Sequence, residues 1–242
     1  MIIQEIIRDT LPLLKGRSIV EVRIGLAFTA VQLDNGSCGL ASAAHPLGMS
    51  SCTVLDEAGS LRGRSAEDLV YMAQPGDPVT TGIALATVNA SLNTSNNPDP
   101  GIENCIDIDG AVIGLVGHIA PLVPLLESRA KNLYIFDRRP LPAPVLSEER
   151  AADLLPGCDV AIFTSQTLVN GTADDLLGMV SGEIVMMGPT TPMWTGFARH
   201  GVSHLFGRQV VDVDAVLDIV SQGGGTRRFS PHTSKIYSHL PR

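Results

Sequence analysis

The second half of the chain alternates short apolar runs with helix-like stretches, and this alternation constrains the fold more than any other feature. Strands are predicted at residues 111–116, 132–136, 160–164, 183–187 and 203–206. Helices are predicted between them and after the last one, at residues 121–129, 148–155, 173–180, 194–200 and 213–222. Such alternation is typical of a parallel sheet covered by helices on both faces. We therefore expect an α/β domain in this half.

The first half has a different pattern. After an amphipathic N-terminal stretch, three β-type runs at 19–23, 28–33 and 37–43 predict an antiparallel meander, with a strong hairpin signal at Asp34-Asn35-Gly36. Two helices are predicted next, in SAEDLVYMA and TTGIALATVNASLN, and the second is apolar almost all round, which indicates burial. The linker NTSNNPDPG then separates a small α+β domain, residues 1–95, from the α/β domain, residues 96–242.

The composition narrows the classes of function. Hydrophobic residues make up 44% and charged residues 17% of the chain, which predicts a buried core. A net charge of −8 with 4% aromatic residues argues against nucleic-acid binding, which needs a basic surface and stacking rings. No apolar run reaches the roughly 18 residues of a membrane span, and no basic leader opens the chain, so we expect a cytoplasmic protein without a membrane partner. The scattered cysteines predict reduced thiols.

Polar turns follow the predicted parallel strands at their carboxyl ends, where open α/β sheets bind ligands. They are Gly117-His118, Asp137-Arg138-Arg139, TSQTLVNGT (164–172) and GPTTP (188–192). Each has a purely structural alternative: the glycine turn can be a tight strand-to-helix junction, and Thr172 with Asp175 can be a helix start alone. Asn89, inside the apolar helix, is either a satisfied buried amide or a ligand contact.

The same turns limit which cofactors we expect the chain to bind. The G-x-G-x-x-G spacing is absent around Gly117, so an NAD site is not expected. Asp137 lies 20 residues after Gly117, the place of a ribose-binding carboxylate, which is compatible with S-adenosylmethionine or, equally, with an ion pair to a neighbouring arginine. His200 and His204 are four residues apart, but Gly201 separates a helix end from a strand, so they do not share a helix face. His45 and Cys52 share a loop without a known ligand spacing, so no preformed metal site is expected.

Five segments together resemble one bacterial and archaeal family, the putative heavy-metal chelation family, formerly a domain of unknown function. They are IGLAFTAVQLDNGSCGLA, GLVGHIAPLVPLL, DVAIFTSQTLVNGT, MMGPTTPM and SQGGGTRRF. They occur in this order over about residues 24–229, and TLVNGT and GPTTP are the most specific. The resemblance implies an N-terminal domain like that of enolase, a Rossmann-like second domain, and a site where the two domains meet.

The resemblance also implies a role in making or remodelling a flavin-, pterin- or siderophore-like chelator by condensation or hydrolysis. Matching motifs give the ligand-binding residues Gly117, Thr164, Thr167, Asn170, Pro189 and Thr190, joined by Thr29 and Asn89 of the first domain. Three functions follow as hypotheses. They are an enzyme with His118 or Asp137 as acid or base, a non-catalytic metal-chelate binding protein, and an S-adenosylmethionine-dependent methyltransferase-like enzyme. In each case the partner is a small molecule, any metal is held only through a bound chelator, and a homo-oligomer is compatible.

Overall fold

The computed structural model describes residues 1–43, 53–95, 97–139, 141–142 and 144–241. The first domain contains a three-stranded antiparallel sheet in the order β1-β2-β3, against which its helices pack. Its elements are α1 (Ile2–Leu14), β1 (Ile19–Ile24), β2 (Phe28–Leu33), β3 (Cys38–Ser42), α2 (Ala66–Tyr71) and α3 (Pro78–Leu92).

Helix α3 is the central element of the first domain. Asp77 begins it by accepting hydrogen bonds from the amides of Val79 and Thr80, and Pro78 occupies its first turn. The helix packs directly on β3, because a Cβ added at Gly39 would lie 2.1 Å from the Ala86 carbonyl oxygen. Side chains on all faces of α3 are buried, which explains why its sequence is apolar almost all round.

The second domain is a seven-stranded sheet in the order β10-β9-β8-β7-β4-β5-β6, parallel except for β10. Its strands are β4 (Val112–Val116), β5 (Asn132–Asp137), β6 (Val145–Ser147), β7 (Val160–Thr164), β8 (Glu183–Met187), β9 (Val202–Val210) and β10 (Thr233–His239). Its α-helices are α4 (Val123–Arg129), α5 (Ala151–Leu154), α6 (Gln166–Val169), α7 (Ala173–Leu177), α8 (Val213–Ser221) and α9 (Thr226–Phe229).

The predicted fold class is confirmed, but two predicted helices are corrected, and two strands occur that were not predicted. The single helix predicted at 148–155 is a 3₁₀ turn, the short α5 and a second 3₁₀ turn, where Pro156 and Gly157 prevent a longer helix. The helix predicted at 194–200 is the 3₁₀ helix Thr195–His200. The C-terminal tail forms the antiparallel edge strand β10, and the three-residue β6 is too short for periodicity to reveal it. The predicted boundary between residues 95 and 96 stays a prediction.

An apolar interface joins the two sheets. Phe28 and Leu40 of the first domain pack with Val220 and Phe229 of the second, and the rings of Phe28 and Phe229 meet edge to face with centroids 4.9 Å apart. A polar contact adds to it, since the Asp174 carboxylate accepts a hydrogen bond from the Ile2 amide at 2.7 Å and so caps α1 from the other domain. Among the described residues no helix has the length and apolar character of a membrane span.

Candidate functional site

Gly117 and Thr164 lie side by side at the point where the strand order of the parallel sheet reverses. The chain passes from β4 to β5 and β6 on one side, and then returns to β7 on the other side of β4. Gly117 follows β4 with φ +88°, and its amide donates to the Phe136 carbonyl oxygen at 2.7 Å. A Cβ added here would lie 2.2 Å from Thr164 Cγ2. The glycine is therefore required both by its backbone conformation and by close packing.

Asp137 fastens the same turn to the end of β5. Its Oδ2 accepts a hydrogen bond from the His118 amide at 2.9 Å and one from the Arg139 guanidinium at 2.8 Å. Its Oδ1 accepts from the amide and the Nε of Arg139, each at 2.9 Å. These four donors fill the lone-pair positions of the carboxylate. Burial would raise the pKa of Asp137, but the hydrogen bonds from Arg139 and from the two amides outweigh it and lower the pKa to about 2.

Replacing Asp137 with Asn should lower the free energy of unfolding at pH 7 by about 2–4 kcal/mol, because the charge-assisted bonds are lost and one amide nitrogen would face N–H donors. The folded pKa lies below the ordinary value of an aspartate, so this stabilisation is present at neutral pH and disappears as the pH falls towards 2. Urea unfolding at pH 7, 5 and 3 should show the difference between parent and variant narrowing with acidity. Asp153→Asn, at an exposed ion pair with Arg150, is the control and should change little. An equal difference at all three pH values would contradict this account.

A cleft of about 440 Å³ opens beside Asp137, at the carboxyl edge of the sheet. We call it the sheet-edge cleft, and seven of its ten lining residues are polar or charged. Its walls are Asp137, Arg138, Ser147, Glu148, Glu149, Ala152, Thr172, Asp175, Leu176 and Met179. Glu148 is the functional candidate that sequence reasoning missed. Burial raises its pKa, the charge of Arg138 lowers it and the charge of Asp137 raises it, and the net shift is upward. The only sequence signal was its position at a predicted helix start.

Three of the predicted polar residues shape the turn after β7. The buried Thr167 hydroxyl donates to the Thr164 carbonyl oxygen at 2.9 Å. Asn170 Oδ1 accepts from the amide and hydroxyl of Thr172, at 3.1 and 3.0 Å, and Gly171 follows with φ +79°. These bonds form a local Asx turn at the start of α7.

The GPTTP loop meets the first domain through hydrogen bonds. Thr190 Oγ1 contacts both the amide and the hydroxyl of Ser42, each at 2.8 Å. Asn89 Nδ2 donates to the carbonyl oxygens of Leu40 at 2.7 Å and Thr190 at 2.9 Å. Asn89 and Thr190 are each 1% exposed, whereas the neighbouring Pro189 is half-buried. The structure thus brings these two predicted residues together, and their polar atoms join one domain to the other.

Two further features of this junction were not anticipated. Asn93, which the sequence placed in a linker, is buried: its Nδ2 donates to the carbonyl oxygens of Thr191 and Arg208, and its Oδ1 accepts from the Met193 amide. The second feature is Asn89 Oδ1, which is buried and has no hydrogen-bond partner among the described residues. The direction of the amide is nevertheless fixed, because Nδ2 faces two carbonyl oxygens.

A second, larger cleft of about 1040 Å³ lies between the β1–β2 hairpin and the end of α8. We call it the interdomain cleft. Its wall from the first domain includes Thr29, and Ser221, Gln222 and Gly223 close it from the second domain. Apolar side chains form much of its surface: Val22, Ile24, Leu26, Val54, Leu55, Leu61, Pro78 and Val79. Of the predicted site residues, Thr29 lines this cleft and Asp137 lines the sheet-edge cleft.

The described donor set does not fit a directly bound metal ion. Within the described ranges no three His, Cys, Asp or Glu side chains are grouped as metal ligands. Burial raises the pKa of Cys38 to about 12 and that of Cys158 to about 11, so both thiols stay protonated. His45 and Cys52, weighed from the sequence, lie outside the described residues.

Comparisons with known proteins cover both domains. The model of a family described as putative heavy-metal chelation, DUF364, matches residues 104–239, and a second model with the same description, DUF4213, matches residues 7–92. No curated protein matches the chain.

Two solved structures from the DUF364 family, both of unknown function, share the fold. The protein from Desulfitobacterium hafniense is 22% identical with a TM-score of 0.80, over 98% of this chain and 99% of that chain. The protein from Pyrococcus horikoshii is 22% identical with a TM-score of 0.84, over 99% and 100% of the two chains.

Proposed function

Because the chain belongs to the putative heavy-metal chelation family, we propose that it binds a small chelator-type metabolite, with or without its metal, in the interdomain cleft. The observation that carries this proposal is the cleft itself. It is large enough for a metabolite of flavin or siderophore size. Its walls also come from both matched segments, the β1–β2 hairpin of the first and residues 221–223 of the second.

The chemistry of the walls suits a heterocyclic ligand better than a bare ion. Apolar side chains provide a surface for a ring system, and Thr29 and Gln222 supply a few hydrogen-bonding groups, which is the usual composition of a ligand site. With no described metal-ligand group, a metal would arrive already coordinated by the ligand. The metal is then cargo rather than a resident cofactor.

The test is a titration with riboflavin, biopterin and a ferric catecholate, using calorimetry and thermal shift. Ala58 lines the interdomain cleft and Ala152 lines the sheet-edge cleft, and both are exposed, so tryptophan at either position should fold normally and obstruct one cleft only. We expect at least one probe to bind the parent and Ala152→Trp, and to lose affinity about tenfold or more for Ala58→Trp. Binding that is lost in Ala152→Trp and kept in Ala58→Trp would contradict the proposal.

A second candidate function, acid–base catalysis of hydrolysis or condensation, is favoured by the two carboxylates of the sheet-edge cleft. Their environments shift the pKa of Asp137 downward and that of Glu148 upward, the usual mark of a fixed anion beside a proton donor. In hydrolysis Glu148 would protonate the leaving oxygen or nitrogen as its bond to the electrophilic carbon breaks. Water would add to that carbon, and the proton that the water releases would return to the Glu148 carboxylate. Asp137 would stay ionised and hold the His118 amide, and His118 remains the predicted alternative acid or base.

Glu148→Gln should then lower kcat/KM by about 10²–10⁴-fold with little change in ligand affinity, since a neutral amide keeps the size and loses the proton. In the parent, activity that uses the protonated form should fall as the pH rises through the raised pKa of Glu148. Glu149→Gln, in the same cleft, is the matched control and should keep the parent rate. A pH profile unchanged in Glu148→Gln would remove this candidate.

S-adenosylmethionine is not supported by a comparable observation. Asp137 was predicted to bind ribose hydroxyls, but the four acceptor positions of that carboxylate are filled by the protein.

A further inference from the structure

We infer that the interdomain cleft selects ligands that combine an apolar body with an anionic group, and that Arg23 and Arg62 bind that group. This inference rests on the proposed function and names the ligand class of the same cleft. The charged residues that line the cleft in the described part of the chain are Glu21, Arg23 and Arg62, which sum to one positive charge. The walls of this cleft thus carry one net positive charge in a protein with a net charge of −8.

Glu21 holds the two arginines together. Its Oε2 lies 3.3 Å from a terminal guanidinium nitrogen of Arg23 and 3.7 Å from one of Arg62. Arg62 is anchored further, because its Nε donates to the Val20 carbonyl oxygen at 3.0 Å. The Glu21 side chain is 13% exposed, whereas those of Arg23 and Arg62 are 46% and 71% exposed. Each guanidinium therefore contacts the glutamate through one terminal nitrogen and still exposes part of its surface to solvent, and so to a ligand.

This geometry matches a carboxylate, sulfonate or catecholate. A guanidinium presents several N–H donors in a plane, so two of them converging on one carboxylate oxygen form a ready site for a second anionic oxygen. Leu26, in the turn that follows β1, would contact the remainder of the ligand, whereas Val22 and Ile24 alternate with Arg23 along β1 and line the cleft on the other face of the strand. Leu26 is 72% exposed, and a bound ring system would remove that surface from water.

The ligand's anion would compete with Glu21 for the arginines. Glu21 is therefore a built-in competitor that weakens binding of every anion, and a neutral side chain in its place should strengthen that binding. The affinity of an uncharged ligand should depend neither on the arginines nor on Glu21. Comparing the affinities of a charged and a neutral ligand of the same shape therefore measures the contribution of the arginines alone.

The experiment uses two fluorescent probes with the same ring system, the anion 1-anilinonaphthalene-8-sulfonate and the neutral N-phenyl-1-naphthylamine. We expect Arg23→Gln combined with Arg62→Gln to weaken binding of the anion about tenfold and to leave the neutral probe unchanged. Glu21→Gln should strengthen binding of the anion several-fold. Arg150→Gln, at an exposed ion pair outside the cleft, is the control and should alter neither probe.

The Ala58→Trp variant distinguishes a failure of the anionic selectivity from a failure of the proposed function. Suppose that Ala58→Trp abolishes binding of both probes, and that the arginine variants change the affinity for both probes equally. The cleft then binds ligands, but the selectivity for anions is overturned. If Ala58→Trp leaves both probes bound as in the parent, the cleft is not the binding site, and the proposed function falls with the inference. The melting temperature of each variant shows whether it folds, which is expected because both arginines are substantially exposed.

Discussion

Replacing Gly117 with alanine should lower the free energy of unfolding by about 3 kcal/mol. Two costs add. The residue has φ +88°, a conformation that costs an L-amino acid about 1–2 kcal/mol. The new Cβ would also lie 2.2 Å from Thr164 Cγ2, so the turns after β4 and β7 must move apart. Urea unfolding monitored by circular dichroism measures the sum.

Two variants separate these costs. Gly110→Ala also has a positive φ, +68°, but nothing lies within 4 Å of its Cβ, so it should show only the conformational cost of about 1–2 kcal/mol. Adding Thr164→Ser to Gly117→Ala removes the methyl group nearest the new Cβ and should recover part of the stability. If Gly117→Ala proves no worse than Gly110→Ala, the close packing at the strand-order reversal is refuted.

Replacing Asn89 with alanine should cost about 2–5 kcal/mol, because the buried carbonyl oxygens of Leu40 and Thr190 would both lose their donor. The same amide links α3 to β3 and to the GPTTP loop of the second domain, so the loss should appear as weaker coupling of the domains. Differential scanning calorimetry should show a lower Tm with a broader or divided transition.

Asn104→Ala provides the comparison for Asn89. The Asn104 amide also donates to a carbonyl oxygen, that of Pro100 at 2.7 Å, but this bond is exposed, and water can replace it. The variant should therefore unfold almost as the parent does. A loss for Asn89→Ala as small as that for Asn104→Ala would mean that the domain junction does not depend on this amide.

The sequence was informative where local pattern decides structure. The strands Phe28–Leu33, Val160–Thr164 and Glu183–Met187 begin and end where predicted, because compact apolar runs between turn residues have few alternatives. Strand β10 was not predicted, because it forms by pairing with β9, and no local pattern in the tail reveals this pairing. The same holds for Asn93, whose hydrogen-bond partners are about 100 residues away.

The candidate site was less predictable, because residue type does not reveal what a polar group will meet. Thr190 and Asn89 have the chemistry of ligand contacts, yet their hydroxyl and amide bind Ser42, Leu40 and the GPTTP backbone itself. Glu148 carried no motif, since its raised pKa comes from burial in a cleft that the sequence cannot show. For the glycine turn, the alternative of a tight strand-to-helix junction agrees with the observed packing of Gly117 on Thr164.

Native mass spectrometry of the protein purified from its own host tests the central claim, ligand binding in the interdomain cleft, most directly. The parent, Ala58→Trp and Ala152→Trp are compared under identical conditions, with metal analysis of each sample. We expect a small-molecule adduct on the parent and on Ala152→Trp that is absent from Ala58→Trp, with any metal following the adduct. An adduct that persists on Ala58→Trp and disappears from Ala152→Trp would contradict the account and place the ligand in the sheet-edge cleft.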